Sequence, residues 1–86
     1  MEREDQQEGI NEIRCGVYRH FKGGTYYVLG VARHSETEEN LVVYVRLYRR
    51  QGIPITARPL DQFLDEVKTE NGDLIPRFIY LGLEEE

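Results

Sequence analysis

The chain has no tryptophan, one cysteine and only three prolines in 86 residues. A single cysteine excludes an internal disulfide, and Cys15 within an apolar alternation suits a reducing compartment. No apolar run approaches the ~18 residues of a membrane-spanning helix. Residues 1–12 are polar and acidic and lack the apolar segment of a secretory signal. These absences predict a cytoplasmic protein with no membrane partner. The length allows one domain, near the lower end of what folds on a single core.

Charge is also missing where the net value of −5 would place it. Glu2, Glu4, Asp5, Glu8 and Glu12 against Arg3 make the head acidic, and Glu84, Glu85 and Glu86 make the tail so. Both read as solvated tails, 1–12 and 84–86, around a single domain at 13–83. That domain is mildly basic over 14–58, where only Glu36, Glu38 and Glu39 oppose the cations. Nine of the eleven basic residues are arginine, the side chain suited to planar or bidentate partners.

What is present is alternation. Ile13 to Lys22 reads as a strand, Gly23-Gly24 as a two-residue hairpin turn, and Thr25 to His34 as a Tyr- and Val-rich second strand. Ser35 to Asn40 is a polar connection, and Leu41 to Tyr48 a third strand. Arg49-Arg50-Gln51-Gly52 turns the chain into a short extended piece, Ile53 to Ala57, which Pro54 confines to an edge or bulge. Pro59 suits a helix first turn. Leu60, Phe63, Leu64 and Val67 then fall at i, i+3, i+4 and i+7, one stripe of a short helix. Asn71-Gly72-Asp73 is a turn before a last strand, Arg77 to Leu81. The expected fold is mainly β: a small SH3-like barrel of about five strands with one short helix before the last. A three-stranded sheet backed by a helix is the alternative.

Register then predicts two faces. If Lys22 opposes Thr25 and His34 opposes Leu41, one side collects Ile13, Cys15, Val17, Phe21, Val28, Val43, Val45 and Leu47 as core. The other collects Tyr18, His20, Tyr27, Tyr44 and Tyr48 with Arg14, Arg33 and Arg46. A one-residue slip would invert every assignment. Arg19 falls on the core side, so it is either turned out by a bulge or buried and paired. Phe63 and Phe78 read as core.

The run from Gly16 through Tyr18-Arg19-His20-Phe21-Lys22-Gly23-Gly24 to His34-Ser35-Glu36-Thr37 closely resembles a small bacterial family, domain of unknown function 1653. So do Val42-Val43-Tyr44 with Leu47-Tyr48, Arg58-Pro59-Leu60 with Phe63-Leu64, and Pro76-Arg77-Phe78. The resemblance implies an SH3-type barrel and no activity. Family members often have Tyr-Arg-Ala-Leu-Tyr where this chain has Tyr44-Val45-Arg46-Leu47-Tyr48, and a tryptophan where it has Ile55-Thr56.

No motif carries catalysis or a cofactor. His20 and His34 sit ~23 Å apart along adjacent strands at ~3.3 Å per residue, too far for one metal. Cys15 is an expected core thiol and therefore inert. Lys22-Gly23-Gly24 lacks the following helix of a phosphate cradle. The expectation is a non-enzymatic binding module. Tyrosine and arginine are hot-spot residues at protein and peptide interfaces, self-association included. The alternative is RNA or single-stranded DNA stacked on the same face, although acidic tails would compete with phosphate. The expected site is Tyr18, His20, Tyr27, Tyr44, Arg46 and Tyr48, rimmed by Arg14 and Arg33, with Arg58 at the mouth before the helix.

Overall fold

A computed structural model describes residues 13–83; both acidic tails lie outside the described residues. Seven strands and one short helix follow in order: β1 (Gly16–His20), β2 (Thr25–Arg33), β3 (Asn40–Arg46), β4 (Ile55–Pro59), α1 (Leu60–Phe63), β5 (Glu66–Lys68), β6 (Leu74–Pro76) and β7 (Phe78–Gly82). Five of them form an antiparallel sheet in the order β4-β3-β2-β1-β7, while β5 and β6 form a separate hairpin. The mainly β architecture with a short helix before the final strands is the one expected. The sheet does not close into a barrel: β4 and β7 are its edges.

The helix is shorter than its stripe suggested. Leu60 and Phe63 bury themselves, but Leu64 is exposed and Val67 belongs to β5, paired with Ile75. At Pro59 φ −53° and ψ 140° mark the entry to the helix, which ends after one turn. The β5–β6 hairpin turns at Thr69–Asp73, where the Thr69 N–H donates to Asp73 O and the Gly72 N–H to Thr69 O.

Register is where expectation and structure part. The first hairpin pairs Arg19 with Thr25 and Tyr18 with Tyr26. Its loop is Phe21-Lys22-Gly23, closed by His20 N–H to Gly24 O and Gly23 N–H to His20 O, both 2.7 Å. Gly23 takes the positive φ, +112°, that such a three-residue loop requires. Relative to a Gly23-Gly24 turn this moves the pairing by three residues, an odd number, so β1 turns its other side inward. In the second hairpin Arg33 pairs with Asn40 and Val31 with Val42, but Val28 pairs with Tyr44. Leu29 is the extra residue, a bulge that shifts β3 by one more step. β3 is therefore inverted as well.

The core follows from these two slips. Tyr18, Val28, Val42, Tyr44, Leu60, Phe63 and Phe78 are buried together, with Ile13, Tyr26, Val31 and Tyr80 packed against them. Phe63 and Phe78 stack, with centroids 4.2 Å apart and planes 10° apart. Phe63 and Phe78 are thus core as expected, and Val28 is too. Cys15 and Phe21 are exposed, Leu47 is 42% exposed, and Val43 and Val45 lie half-buried on the opposite face. Val17 is buried outside this cluster, in line with Tyr27, Val45 and Ile55. Arg19 is exposed rather than buried, turned out by the changed register. Gly16 has φ +141°, and a Cβ there would meet Gly82 O at 2.6 Å, so only glycine fits.

Substitutions in β3 read this parity directly. Tyr44→Ala should cost about 3 kcal/mol or more in urea unfolding, and Val43→Ala roughly 1 kcal/mol. The opposite ranking would restore the register expected from the turns.

Candidate functional site

Three of the tyrosines expected to form a wet face are in or against the core. Tyr18 is 5% exposed and Tyr44 3%, so neither offers a ring to a ligand. Tyr48 is half-buried, lying over Gly24, whose absent Cβ would stand 2.8 Å from the ring. Tyr27 sits on the other side of the sheet, paired with Val17 and Val45. The proposed continuous Tyr/Arg face does not exist.

The arginines disperse too. Arg14 is exposed, its guanidinium 5.3 Å from the centre of the Tyr80 ring, and its N–H donates to the Tyr18 hydroxyl at 3.1 Å. Arg33 is exposed at the end of β2, opposite Asn40. Arg46 is consumed by its own loop: it donates to Ile53 O at 3.0 Å, to Gly52 O at 2.8 Å and to Arg50 O. Three carbonyls taken by one guanidinium hold the β3–β4 connection shut, which is a structural role.

What the fold does bring together is a different group. The strongly curled sheet carries edge strand β4 across the interior towards edge strand β7. There Arg58 lies with its guanidinium carbon 5.7 Å from the centre of the Phe78 ring and donates Nε to the Tyr44 hydroxyl at 3.0 Å. His20 packs on the same Phe78 ring at 4.9 Å and on Tyr26 at 6.4 Å. Tyr26 is the hub, edge-on to Tyr44 at 5.2 Å and Tyr48 at 5.6 Å, and its hydroxyl bonds that of Tyr48 at 2.7 Å. His20, Tyr26, Tyr48 and Arg58 are all half-buried. This rim holds three residues expected at the site, His20, Tyr48 and Arg58, and adds Tyr26 and Phe78. Those two read as core-side in the sequence; only the curl of the sheet brings them up to a rim.

The charges acting on His20 are all positive. Burial, then the Arg58, Arg77 and Lys22 cations, push the His20 imidazole below its ordinary range, so it is neutral at pH 7. The Lys22 N–H donates to His20 Nδ1 at 3.1 Å, which assigns the ring proton to Nε2. Arg77 is matched by Asp65, with Nε to Oδ1 at 2.7 Å and Nη2 to Oδ2 at 3.2 Å. That is the one ion pair among the described residues, and Arg58 has no carboxylate partner there. Burial and the bond to Tyr48 raise the Tyr26 hydroxyl to about 12, while the same bond lowers Tyr48.

Elsewhere, His34 fastens its own loop, its Nδ1 accepting from Glu36 N–H at 3.1 Å and Thr37 N–H at 3.3 Å. No group of three potential metal ligands occurs among the described residues. No helix is long and apolar enough to cross a membrane among them.

Residues 16–80 match a family model described as a protein of unknown function, DUF1653. The chain belongs to the DUF1653 family. A crystal structure of a DUF1653 protein from Bordetella bronchiseptica shares 45% identity, with a TM-score of 0.84, covering 90% of this chain and 97% of that one. No curated protein matches the chain. The shared DUF1653 fold supports the open five-stranded sheet and leaves activity to the side chains.

Tyr26 gives a pH signature. Because its folded value lies above the unfolded one near 10, the fold favours the protonated phenol. That contribution is full below pH 10 and is lost as pH rises towards about 12. Burial raises the Tyr18 phenol as well, so ultraviolet titration should resolve late-ionising tyrosines, and Tyr48→Phe should bring the Tyr26 step partway back. Arg46→Met should raise amide exchange across the loop at 47–54 while β1 and β2 stay protected.

Proposed function

We propose that this DUF1653 chain is a non-enzymatic binding module that docks a protein or peptide segment on the rim of His20, Tyr26, Tyr48 and Arg58. The observation that carries this reading is that the aromatic core comes to the surface there through polar-tipped rings and one arginine without a carboxylate partner among the described residues. Elsewhere a core of this size is capped by aliphatic or self-bonded side chains. Amphipathic rings and arginine held in place by packing lose little entropy on binding, which is why they recur at interface hot spots. We read the module as bacterial and cytoplasmic, in keeping with the exposed free thiol of Cys15.

Single-stranded nucleic acid is served less well. Base stacking needs ring faces in solvent, and these rings pack edge-on to one another. A phosphate track needs spaced cations, whereas Arg14 and Arg33 lie away from the rim and Arg46 is spent on its loop. Both histidines use Nδ1 to hold main-chain N–H groups, which gives each ring a place in its own loop.

Selection from a random-peptide display library should enrich binders on the intact chain. Tyr48→Ser should weaken those binders by about tenfold or more while exposed Leu74→Ser, on the separate hairpin, leaves them unchanged. Failure to enrich any peptide would remove the docking reading.

A further inference from the structure

We infer that the rim is a carboxylate clamp: the docked segment presents an Asp, Glu or C-terminal carboxylate to Arg58 and His20. This deepens the peptide-docking reading and rests on it.

The argument is an inventory of unused hydrogen-bonding capacity. Arg58 spends Nε on the Tyr44 hydroxyl at 3.0 Å, and its guanidinium lies against Phe78, so its orientation is set from within the core. Its two Nη groups make no hydrogen bond to the described residues. Among the described residues no buried side-chain nitrogen or oxygen is left without a partner, so those groups are not sealed in. The same reasoning applies to His20. Its Nδ1 is occupied by the Lys22 N–H, and its Nε2–H has no acceptor among the described residues and is not sealed in. The Tyr26–Tyr48 pair spends one hydroxyl proton on its own bond and leaves the other over. With the Arg58 and His20 N–H groups, most of what the rim offers is a donor.

The complement of several convergent donors around one arginine fork is a group that only accepts and carries negative charge, which among peptide groups is a carboxylate. The charges facing His20 agree in sign: Lys22 on its own loop, Arg58 from β4 and Arg77 ahead of β7. Asp65, the carboxylate packed against this region, is held bidentately by Arg77 and does not reach Arg58. A fork pinned before the ligand arrives also loses less freedom on binding than a free surface arginine.

The test uses the peptides recovered from the random library, resynthesised with each Asp or Glu replaced in turn by Asn or Gln, and with an amidated C-terminus. One replacement should weaken binding to the full chain by about tenfold or more, the scale of a charge-assisted hydrogen bond. The same replacement should have little further effect on Arg58→Met protein. His20→Phe, which keeps the ring against Phe78 and loses the donor, should reproduce part of that loss even if Arg58→Met fails to fold. Bound peptide should also raise the His20 titration midpoint, followed by NMR, and the neutral analogue should not. Peptides that bind the rim equally well after every neutral replacement would overturn the clamp and leave docking intact. A library yielding no peptide at all would overturn both, as would a labelled single-stranded RNA that alone occupies the rim.

Discussion

A buried tyrosine is acceptable only if its hydroxyl finds a partner, and this small core contains or borders on several. The solution is common to all of them. Each ring lies among apolar neighbours while its oxygen reaches the margin of the core and bonds there: Tyr18 to the Arg14 N–H, Tyr44 to Arg58, Tyr26 to Tyr48, Tyr80 to Cys15 O. With 86 residues, aromatic rings supply a large buried area from few positions. The polar margin is thus a by-product of how the interior is filled. The candidate site grows out of that margin.

This coupling explains why the site was only half legible. Five of the seven strands, the Asn71-Gly72-Asp73 turn and the roles of Leu60, Phe63 and Phe78 follow from local patterning, and the structure has them; β5 and β6 do not, since Val67 fits a helical stripe equally well. Facing was a harder problem, because parity depends on counting residues through turns and bulges. Gly23-Gly24 is consistent with a two-residue turn, yet the second glycine serves to admit the Tyr48 ring. Leu29 carries no mark of a bulge in its own identity. Tyrosine misled in the same direction, since its hydroxyl suggested solvent where it in fact signals a bonded position at the core margin.

Arginine separates into roles that composition cannot distinguish. Arg46, Arg58 and Arg77 are each fixed, by three carbonyls, by a tyrosine and a ring, and by an aspartate respectively. The second spends one of its five donors and, among the described residues, meets no carboxylate. By sequence Arg58 stands at the mouth before the helix, outside the main aromatic set. It gains importance because the curl of the sheet carries one edge strand over to the other, a non-local event that no spacing rule encodes. The opposite sheet face, with Leu29, Ile55, Ile79 and Leu81 exposed, is apolar by contrast.

The open sheet leaves β4 at one edge, and Pro59 changes what that edge presents. The Arg46 N–H donates to Pro54 O, so residues 54, 56 and 58 turn their main-chain groups towards β3, and 55, 57 and 59 turn theirs away. Pro59 has no N–H to offer, which leaves Ile55 and Ala57 as the outward amide donors of the strand. An incoming chain would find a ladder two rungs long, too short to seed a growing sheet. On the β4 side, a sheet that fails to close thereby offers little of the ladder that open edges lend to another chain.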